Sequence, residues 1–469
     1  MHSRRSPTTR RSRSAPSARG ACAQASRTGD PVARTGRSPA STGTPSSGRA
    51  ARTRTAPTSA RCAGRTRGRT GSARSATTSD GVLRVFSRRT GWDLAPNRLT
   101  LLLEERRRSG APILDLTESN PTAVWLDVPG DEIRAAISLP GSLLYAPDPM
   151  GLPSARAAVA ARYGIDPGRI VLTASTSEAY SWLFKLLCDP GDEVLAPTPS
   201  YPLCEYLAML ESVVVRPYPL GWDGSWHIEL GALEAAIRPT TRAVLVVHPN
   251  NPTGAFLKRE ELRALDAICA RHDLAIVSDE VFHEYGLADD DRRAGMVALE
   301  SGVLSFSMSG LSKQAGLPQL KCGWIVVGGP EEVRSKALER LEMIADTYLS
   351  VATPVQVGLA RLLELADSIR ASIRSRLAKN RASLSRALSA APSVQLLDSE
   401  GGWYAVLRVP AIRSEEEWAL ELLGSQGVLV QPGYFFDFAT GGILVLSLLC
   451  REDVFTDGAL RIARSASGL

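Results

Sequence analysis

A chain of 469 residues, 44% hydrophobic and 22% charged, is long enough for two or three domains with a large buried core. Its net charge of +6 is unevenly distributed, because residues 1–80 hold 17 Arg and two Asp with no Lys or Glu, a net +15 that leaves −9 for the remainder. This acidic remainder gives no indication of a nucleic-acid surface, and no apolar run approaches the roughly 20 residues that span a bilayer.

The first 80 residues contain no Leu, Ile, Phe, Tyr or Trp and a single Val. Little apolar surface is available there to offset the entropy of folding, so this basic tail is predicted to be disordered. Three origins stay open: a spurious extension from a start codon assigned too early, an Arg- and Ser-rich targeting segment, or a nucleic-acid-binding tail. We favour the first, because the lack of both Lys and Glu is unusual for a selected segment.

Order is predicted to begin near residue 82, with a helix that Asn97 caps and that ends toward Gly110. A short strand over 113–117 then runs into Ser119 and Asn120. A Pro-rich segment that starts at Tyr145 leads into a helix over 154–163.

Strands and helices alternate through the middle of the chain. Strands are predicted at 170–172, 193–196, 242–247 and 274–277, with helices at 179–187 and 259–271. Such alternation predicts a mostly parallel sheet, whose ligands bind beyond the carboxyl ends of the strands. A smaller α/β domain is predicted from helices at 331–348, 354–388 (broken near Asp367), 415–423 and 455–466 and strands at 394–397, 404–407, 428–430 and 443–446.

Three chemically distinct side chains fall at or just after predicted strand ends. Asn251 lies in the turn 248–254, Asp279 follows the strand 274–277, and Lys313 lies in a small-residue turn between two apolar runs. A partly desolvated lysine has a lowered pKa, so its free amine can form a Schiff base with a carbonyl. A lysine, a carboxylate and an amide together suit pyridoxal 5′-phosphate better than a metal, because this cofactor needs a lysine for its aldehyde and an acid for its ring nitrogen.

Ser175, Thr176 and Ser177 open the helix that follows the strand 170–172. Hydroxyls and unpaired amides at a helix N-terminus form a phosphate site. From these residues alone a plain N-cap is the better interpretation, and the phosphate site stays open as the alternative at this point.

Seven cysteines are scattered along the chain without paired short spacings. This spacing argues against a zinc module, and no metal site is predicted. It favours mostly buried free thiols, so we expect an intracellular, cytoplasmic protein.

The order of these motifs resembles one family. Asn-Pro-Thr-Gly at 251–254, Asp279 at the start of Asp-Glu-Val, and Ser312-Lys313 with Lys321 eight residues on are similar to the pyridoxal-phosphate-dependent aminotransferases of class I/II, fold type I. The resemblance extends from about Phe86 to the C-terminus. It implies a homodimer that exchanges an amino group between an amino acid and a 2-oxo acid.

The resemblance also implies a domain organisation. We expect a disordered tail over 1–80, an N-terminal arm and part of the small domain over 81–134, a large cofactor-binding domain over 135–352, and a C-terminal small domain over 353–469. The large domain would contain the mostly parallel central sheet.

Each site residue takes an expected role from the resemblance. Lys313, beside Ser312, would hold the cofactor as a Schiff base and carry the proton, Asp279 would keep the ring nitrogen protonated, and Asn251 would donate to the ring 3-oxygen. Further cofactor contacts are expected from Tyr201, stacked on the ring, from Ser175, Thr176, Ser177 and Lys321 at the phosphate, and from Tyr145 across a dimer interface. Ser119, Asn120 and Asn251 are expected near the substrate. Ordinary packing or loop roles stay open for Tyr145, Tyr201, Ser119 and Asn120.

Three positions depart from the family pattern. Phe282 stands where the family usually has a tyrosine that bonds the ring oxygen, and Lys321 replaces a phosphate-binding arginine, which removes a bidentate fork. Val445 occupies the place of the arginine that usually binds the substrate carboxylate, and the next arginine, Arg451, lies beyond that strand.

The leading prediction is an aminotransferase. A lyase or decarboxylase of the same fold stays open, because the groups around one carbanion decide its fate and the motifs do not identify them. A transcription regulator with a basic DNA-binding head is disfavoured, because residues 1–80 lack the apolar positions that a helix-turn-helix needs.

Overall fold

The chain folds into alternating helices and strands. The computed structural model describes residues 85–124 and 126–467, so the disorder predicted for residues 1–80 lies outside the described residues. The helices are α1 (Arg98–Ser109), α2 (Gly130–Ile137), α3 (Pro153–Tyr163), α4 (Thr176–Leu187), α5 (Leu203–Leu210), α6 (Leu230–Ala236), α7 (Arg259–Arg271), α8 (Val297–Glu300), α9 (Leu311–Gln314), α10 (Glu331–Asp346), α11 (Thr353–Leu388), α12 (Glu415–Glu421) and α13 (Glu452–Ser467). The strands are β1 (Leu114–Asp115), β2 (Ile170–Thr173), β3 (Glu193–Thr198), β4 (Val214–Trp222), β5 (Trp226–Ile228), β6 (Thr241–Val247), β7 (Ala275–Asp279), β8 (Ser305–Gly310), β9 (Gly323–Gly328), β10 (Gln395–Leu396), β11 (Tyr404–Arg408), β12 (Val428–Leu429), β13 (Gln431–Pro432) and β14 (Ile443–Ser447).

An eight-stranded sheet has the order β2-β9-β8-β7-β6-β3-β4-β5. The neighbours β8, β7, β6, β3 and β4 are parallel, whereas β9 is antiparallel to β8 and β2, and β5 is antiparallel to β4. Every residue of β2, β8 and β9 is buried, which is the pattern of strands covered on both faces. The prediction of a mostly parallel central sheet is therefore confirmed.

A second, antiparallel sheet has the order β10-β11-β14-β13. The short parallel pair of β1 and β12 joins the N-terminal segment to this region, and the bond from the Ser447 N–H to the Leu116 carbonyl, 2.7 Å long, continues the connection. The segment that precedes Ser119 is thereby tied to C-terminal strands. The domain boundaries given above stay a prediction.

The predicted break of the long helix near Asp367 is wrong, because α11 runs without interruption through this position. Asp367 lies on the exposed face, where its carboxylate forms ion pairs with Arg370 and Arg162. Ile369 and Ile373 continue the buried stripe beyond it. An exposed, paired acid does not interrupt a helix whose apolar face continues on both sides.

The first helix forms where its caps predict it. The side chain of Asn97 accepts a bond from the Thr100 N–H at 2.7 Å, and Gly110 ends α1 in the left-handed conformation.

No helix in the described ranges 85–124 and 126–467 is long and apolar enough to cross a membrane.

Gly254 ends the Asn-Pro-Thr-Gly turn with a φ of +74°, and a Cβ built there would stand 2.4 Å from the carbonyl oxygen of Gly401. Gly164 has a similar φ of +65° with no atom within 4 Å of such a Cβ. We expect Gly164→Ala to lower the free energy of unfolding by the left-handed penalty of about 1–2 kcal/mol, and Gly254→Ala to cost clearly more because of the added clash. Urea unfolding of both variants measures the difference. Equal losses would show that the contact with Gly401 is not constraining.

Candidate active site

A cavity of about 470 Å³ lies beyond the carboxyl ends of the parallel strands. In an α/β sheet this edge is the position where ligands bind. Seven of the residues predicted for the site line the cavity: Ser119, Thr176, Tyr201, Asn251, Asp279, Ser312 and Lys313. The ends of the parallel strands therefore bring these residues together at one cavity.

Lys313 lies in α9, directly after β8. Its Nζ is 4.6 Å from the ring centroid of Trp403 and 5.4 Å from that of Phe282. The residue is only partly buried, but its amine is desolvated by these rings, and this burial lowers the pKa of Lys313 to about 8 against the opposing charges of Asp279 and Glu118. A neutral amine is thus accessible near physiological pH.

Asp279 is the last residue of β7 and faces the same cavity. The Tyr180 hydroxyl donates to its Oδ2 at 3.1 Å, and the Val281 N–H donates to its Oδ1 at 3.2 Å. Burial raises the pKa of Asp279, while these two bonds and the charge of Lys313 act to lower it. The carboxylate is held in a fixed orientation by both bonds.

Asn251 lies on the turn that follows β6, and its side chain and that of Ser119 lie near the hydroxyl of Tyr404, where they act to lower the pKa that burial raises. The Oδ1 atom of Asn251 is buried and has no partner among the described residues. Buried polar atoms in folded proteins are normally paired, so an unpaired one in a cavity is typical of a ligand site. Tyr404, on β11, joins Asn251 to the N-terminal Ser119.

The N-terminus of α4 forms another part of the wall. Ser175 is the N-cap, and its Oγ accepts a bond from the Glu178 N–H at 3.2 Å, so the plain capping role is present. Thr176 lines the cavity, whereas Ser175 and Ser177 do not. Gly310 also lines the cavity. A side chain does not fit at this position, because a Cβ on Gly310 would stand 2.9 Å from the Cys322 carbonyl oxygen.

Several predicted residues lie away from the cavity walls. Tyr145 is 83% exposed, and Asn120 is exposed with its Oδ1 accepting bonds from the N–H and hydroxyl of Thr122. Lys321 is exposed and has a left-handed backbone with a φ of +49°. The structure does not bring these three residues to the cavity, and their roles stay predictions.

The departures from the family pattern are visible in the structure. Phe282 lines the cavity and contacts the ring of Tyr404 edge to face, with centroids 6.3 Å apart. Val445 is completely buried in β14 and is not part of the wall. Arg451 forms an ion pair with Asp453 at 2.6 Å and does not line the cavity either.

Sequence patterns missed four residues of this site. Trp403 contacts the amine of Lys313, Tyr180 donates a hydrogen bond to Asp279, Tyr404 lies beside Asn251, and Asp437 lines the cavity. Tyr180 could have been predicted from the sequence, since it lies one helical turn beyond Thr176 on the same helix. The other three come from distant segments and carry no local signal.

The comparisons with known proteins agree with this geometry. The family described as "Aminotransferase class I and II" matches residues 111–451, which is most of the chain. The chain belongs to this family. It is therefore an aminotransferase, and the predicted resemblance, fold type and enzyme class are confirmed.

Individual relatives are similar over most of their length. The "Glutamate-pyruvate aminotransferase AlaA" of Escherichia coli K12 is 29% identical over 384 residues, 78% of this chain and 94% of the relative. The "Alanine aminotransferase" of Mycobacterium tuberculosis H37Rv is 29% identical over 343 residues, 70% of this chain and 80% of the relative. The crystal structure of an Escherichia coli aminotransferase has a TM-score of 0.71 at 27% identity and covers 79% of this chain and 95% of that chain.

The lowered pKa of Lys313 predicts how the reactivity of its amine depends on pH. Above about 8 its amine is neutral and nucleophilic, and below this value it is protonated and unreactive. We expect the rate of acylation of Lys313 in the cofactor-free aminotransferase to rise with pH around a midpoint near 8. Asp279→Asn removes a charge that favours the ammonium form, so the midpoint should move to lower pH. Peptide mass spectrometry at each pH measures both midpoints, with the exposed Lys336 as the internal control for the reagent. A midpoint at the ordinary lysine value would contradict the prediction.

Proposed function

We propose that this aminotransferase binds pyridoxal 5′-phosphate in the cavity through Lys313 and exchanges an amino group between an α-amino acid and a 2-oxo acid. One observation carries the proposal. The desolvated amine of Lys313 and the carboxylate of Asp279 face one cavity of about 470 Å³ at the carboxyl edge of the sheet. A nucleophilic amine opposite an acid is the donor set that this cofactor requires.

The walls also suit the remainder of the cofactor. Asn251 offers a buried Oδ1 without a protein partner, and its amide group can turn to present donor or acceptor. Thr176 and the amides at the N-terminus of α4 are suited to an anion such as a phosphate. Tyr201 also lines the cavity, and its aromatic ring offers a face for stacking. We propose these residues as the cofactor contacts.

Pyridoxal phosphate supplies an aldehyde and an electron-withdrawing ring that stabilises negative charge on the substrate α-carbon. The residues of this chain supply proton transfer and fixed charge. Nζ of Lys313, neutral above about pH 8, accepts the α-proton and returns it on the other side of the exchange. Asp279, oriented by Tyr180, supplies the negative charge that a protonated ring nitrogen needs.

The substrate carboxylate requires donors other than Val445. The cavity offers the side chains of Ser119, Asn251 and Tyr404, which lie close to one another. We propose that this group meets the carboxylate, and that it binds more weakly than a bidentate arginine because its members are neutral. The α-amino acids named in the titles of the relatives, alanine and glutamate, have the same α-carboxylate.

Assembly and location complete the proposal. We propose a homodimer, in which the exposed Tyr145 has a surface available to contact a second copy. We also propose a cytoplasmic location and a role in biosynthesis, which fit the absence of membrane-spanning helices among residues 85–124 and 126–467 and the presence of free thiols such as Cys269 and Cys322.

Reduction with borohydride tests the assignment of Lys313. We expect the purified protein to carry a cofactor adduct that borohydride fixes to the peptide containing Lys313, and Lys313→Ala to abolish this adduct and turnover. Lys336→Ala removes an exposed lysine on α10 and should change neither. Mapping of the trapped cofactor to another lysine by mass spectrometry would refute the assignment.

Removal of the Tyr404 hydroxyl tests the proposed binding of the substrate carboxylate. Tyr404→Phe removes the hydroxyl beside Ser119 and Asn251, and the loss of a buried hydrogen bond to the substrate carboxylate would cost about 1–3 kcal/mol. We expect amino-acid affinity to fall by about tenfold or more, measured by absorbance titration of the cofactor. Tyr434→Phe is the matched control, because the Tyr434 hydroxyl is buried without a partner among the described residues. Equal effects of the two substitutions would show that Tyr404 has no special role in binding.

A further inference from the structure

The turn that carries Lys313 has little backbone support of its own. In residues 311–317, here called the lysine turn, α9 takes up four residues directly after β8. The Gly316 N–H is 3.4 Å from the Lys313 carbonyl oxygen, which is longer than a typical backbone hydrogen bond. A helix of one turn is not stable by itself, so contacts from other parts of the chain must fix the backbone of Lys313.

Tyr285 provides such a contact. Its hydroxyl donates to the Lys313 carbonyl oxygen at 2.6 Å. The residue is 1% exposed, and burial raises the pKa of Tyr285, so its phenol stays protonated and remains a donor. The bond is shorter than the contact from Gly316, and it comes from outside the lysine turn.

The backbone of Tyr285 is itself held by the loop that precedes β11. Its carbonyl oxygen accepts a bond from the Gly402 N–H at 3.0 Å, and Gly286 and Gly401 form an antiparallel bridge beside this bond. A Cβ built on Gly401 would stand 2.7 Å from the Tyr285 carbonyl oxygen, so the two segments are in close contact. The hydroxyl that holds the lysine turn therefore belongs to a residue with a fixed backbone.

The ring of Tyr285 contributes to the surroundings of the amine. It packs edge to face against Trp403, with centroids 5.2 Å apart, and the centroid of Trp403 is 4.6 Å from Nζ of Lys313. Tyr285 thus contacts the backbone of Lys313 directly and the surroundings of its amine through Trp403. The hydroxyl and the ring can be tested separately, because phenylalanine keeps the ring.

A lysine that transfers a proton must move its amine while its backbone stays in place. The proposed function requires Nζ of Lys313 to accept the substrate α-proton and return it. Such a transfer needs donor and acceptor within hydrogen-bond reach, and a displacement of about 1 Å can lower a rate by roughly a hundredfold. The backbone of Lys313 is the fixed end of this movement, and the Tyr285 hydroxyl is bound to it.

We propose that Tyr285 is a positioning residue for proton transfer by Lys313. Its hydroxyl holds the backbone of the lysine turn, so that movement is confined to the side chain of Lys313. Tyr285 does not line the cavity, so it acts through Lys313 rather than on the substrate. The inference rests on the proposed function, because that function assigns the proton transfer to this lysine.

Tyr285→Phe removes the hydroxyl and keeps the ring beside Trp403. With alanine as the donor, we expect kcat to fall by about tenfold and KM to stay within about twofold, because the substitution affects a chemical step rather than binding. Deuterium at the α-carbon of alanine should slow the variant at least as much as it slows the unmodified enzyme. Loss of this isotope effect would place the defect in another step and contradict the proposal.

Tyr218→Phe is the matched control. The Tyr218 hydroxyl donates to the Leu245 carbonyl oxygen at 2.8 Å, and the residue is also 1% exposed and does not line the cavity. Each variant loses one buried bond from a tyrosine hydroxyl to a backbone carbonyl, so both should lower Tm by similar amounts. Tyr218→Phe should change neither kcat nor the isotope effect. Equal losses of kcat would show that Tyr285 has only a structural role.

Hydrogen exchange gives a readout that does not depend on turnover. The amides of Ala315 and Leu317 are bonded to the Leu311 carbonyl at 3.1 and 3.0 Å. In the purified protein before any donor is added, we expect the peptide that contains them to exchange about fivefold faster or more in Tyr285→Phe. The same peptide should exchange at an unchanged rate in Tyr218→Phe. Unchanged exchange in both variants would refute the proposed anchoring of the lysine turn.

Two failures are distinguishable. If borohydride fixes the cofactor to Lys313 in the unmodified protein but the two tyrosine variants behave alike, this inference is wrong and the proposed function stands. If borohydride fixes no cofactor to Lys313, the proposed function itself fails.

Discussion

The desolvation of one amine is the constraint on which the rest of the site depends. Burial of Nζ of Lys313, beside the rings of Trp403 and Phe282, lowers the pKa of this lysine to about 8. Burial of an ammonium group is unfavourable unless opposing charges limit its cost, and Asp279 and Glu118 act in that direction. The amine is therefore close to the balance between charged and neutral forms. This balance makes it both a nucleophile and a carrier of protons.

The turn that holds this lysine is fixed from several sides. The Tyr285 hydroxyl donates to the Lys313 carbonyl at 2.6 Å, and the side-chain amide of Gln314 donates to the hydroxyls of Tyr163 and Ser309. The Trp324 ring nitrogen also donates to Tyr163 at 3.3 Å, and burial raises the pKa of Tyr163 to about 12. A phenol that stays protonated remains a hydrogen-bonding partner over the whole physiological range. The position of Lys313 is thus set by neutral groups, which leave its ionisation to Asp279 and the rings.

Strand ends could be predicted from sequence because their signal is local. An apolar run followed by a polar residue places Asn251, Asp279 and Lys313 at one edge once the strands are parallel, and the register of Val247 with Asp279 gives that result. The contributions of Trp403 and Tyr404 depend instead on how β11 meets the large sheet, about 90 residues further along the chain. No periodicity or turn motif encodes such a contact. The break assigned to α11 failed for a related reason, since the partners that stabilise Asp367 on the surface include the distant Arg162.

The loss of a hydroxyl at Phe282 shows how the two regions depend on each other. Phe282 contributes only a ring to the wall, and this ring packs against Trp403 with centroids 5.2 Å apart and against Tyr404. The hydroxyl near Asn251 belongs to Tyr404, so this polar group lies on β11 while the apolar ring of Phe282 follows β7 of the large sheet. The surroundings of Asn251 therefore depend on the position of the smaller sheet.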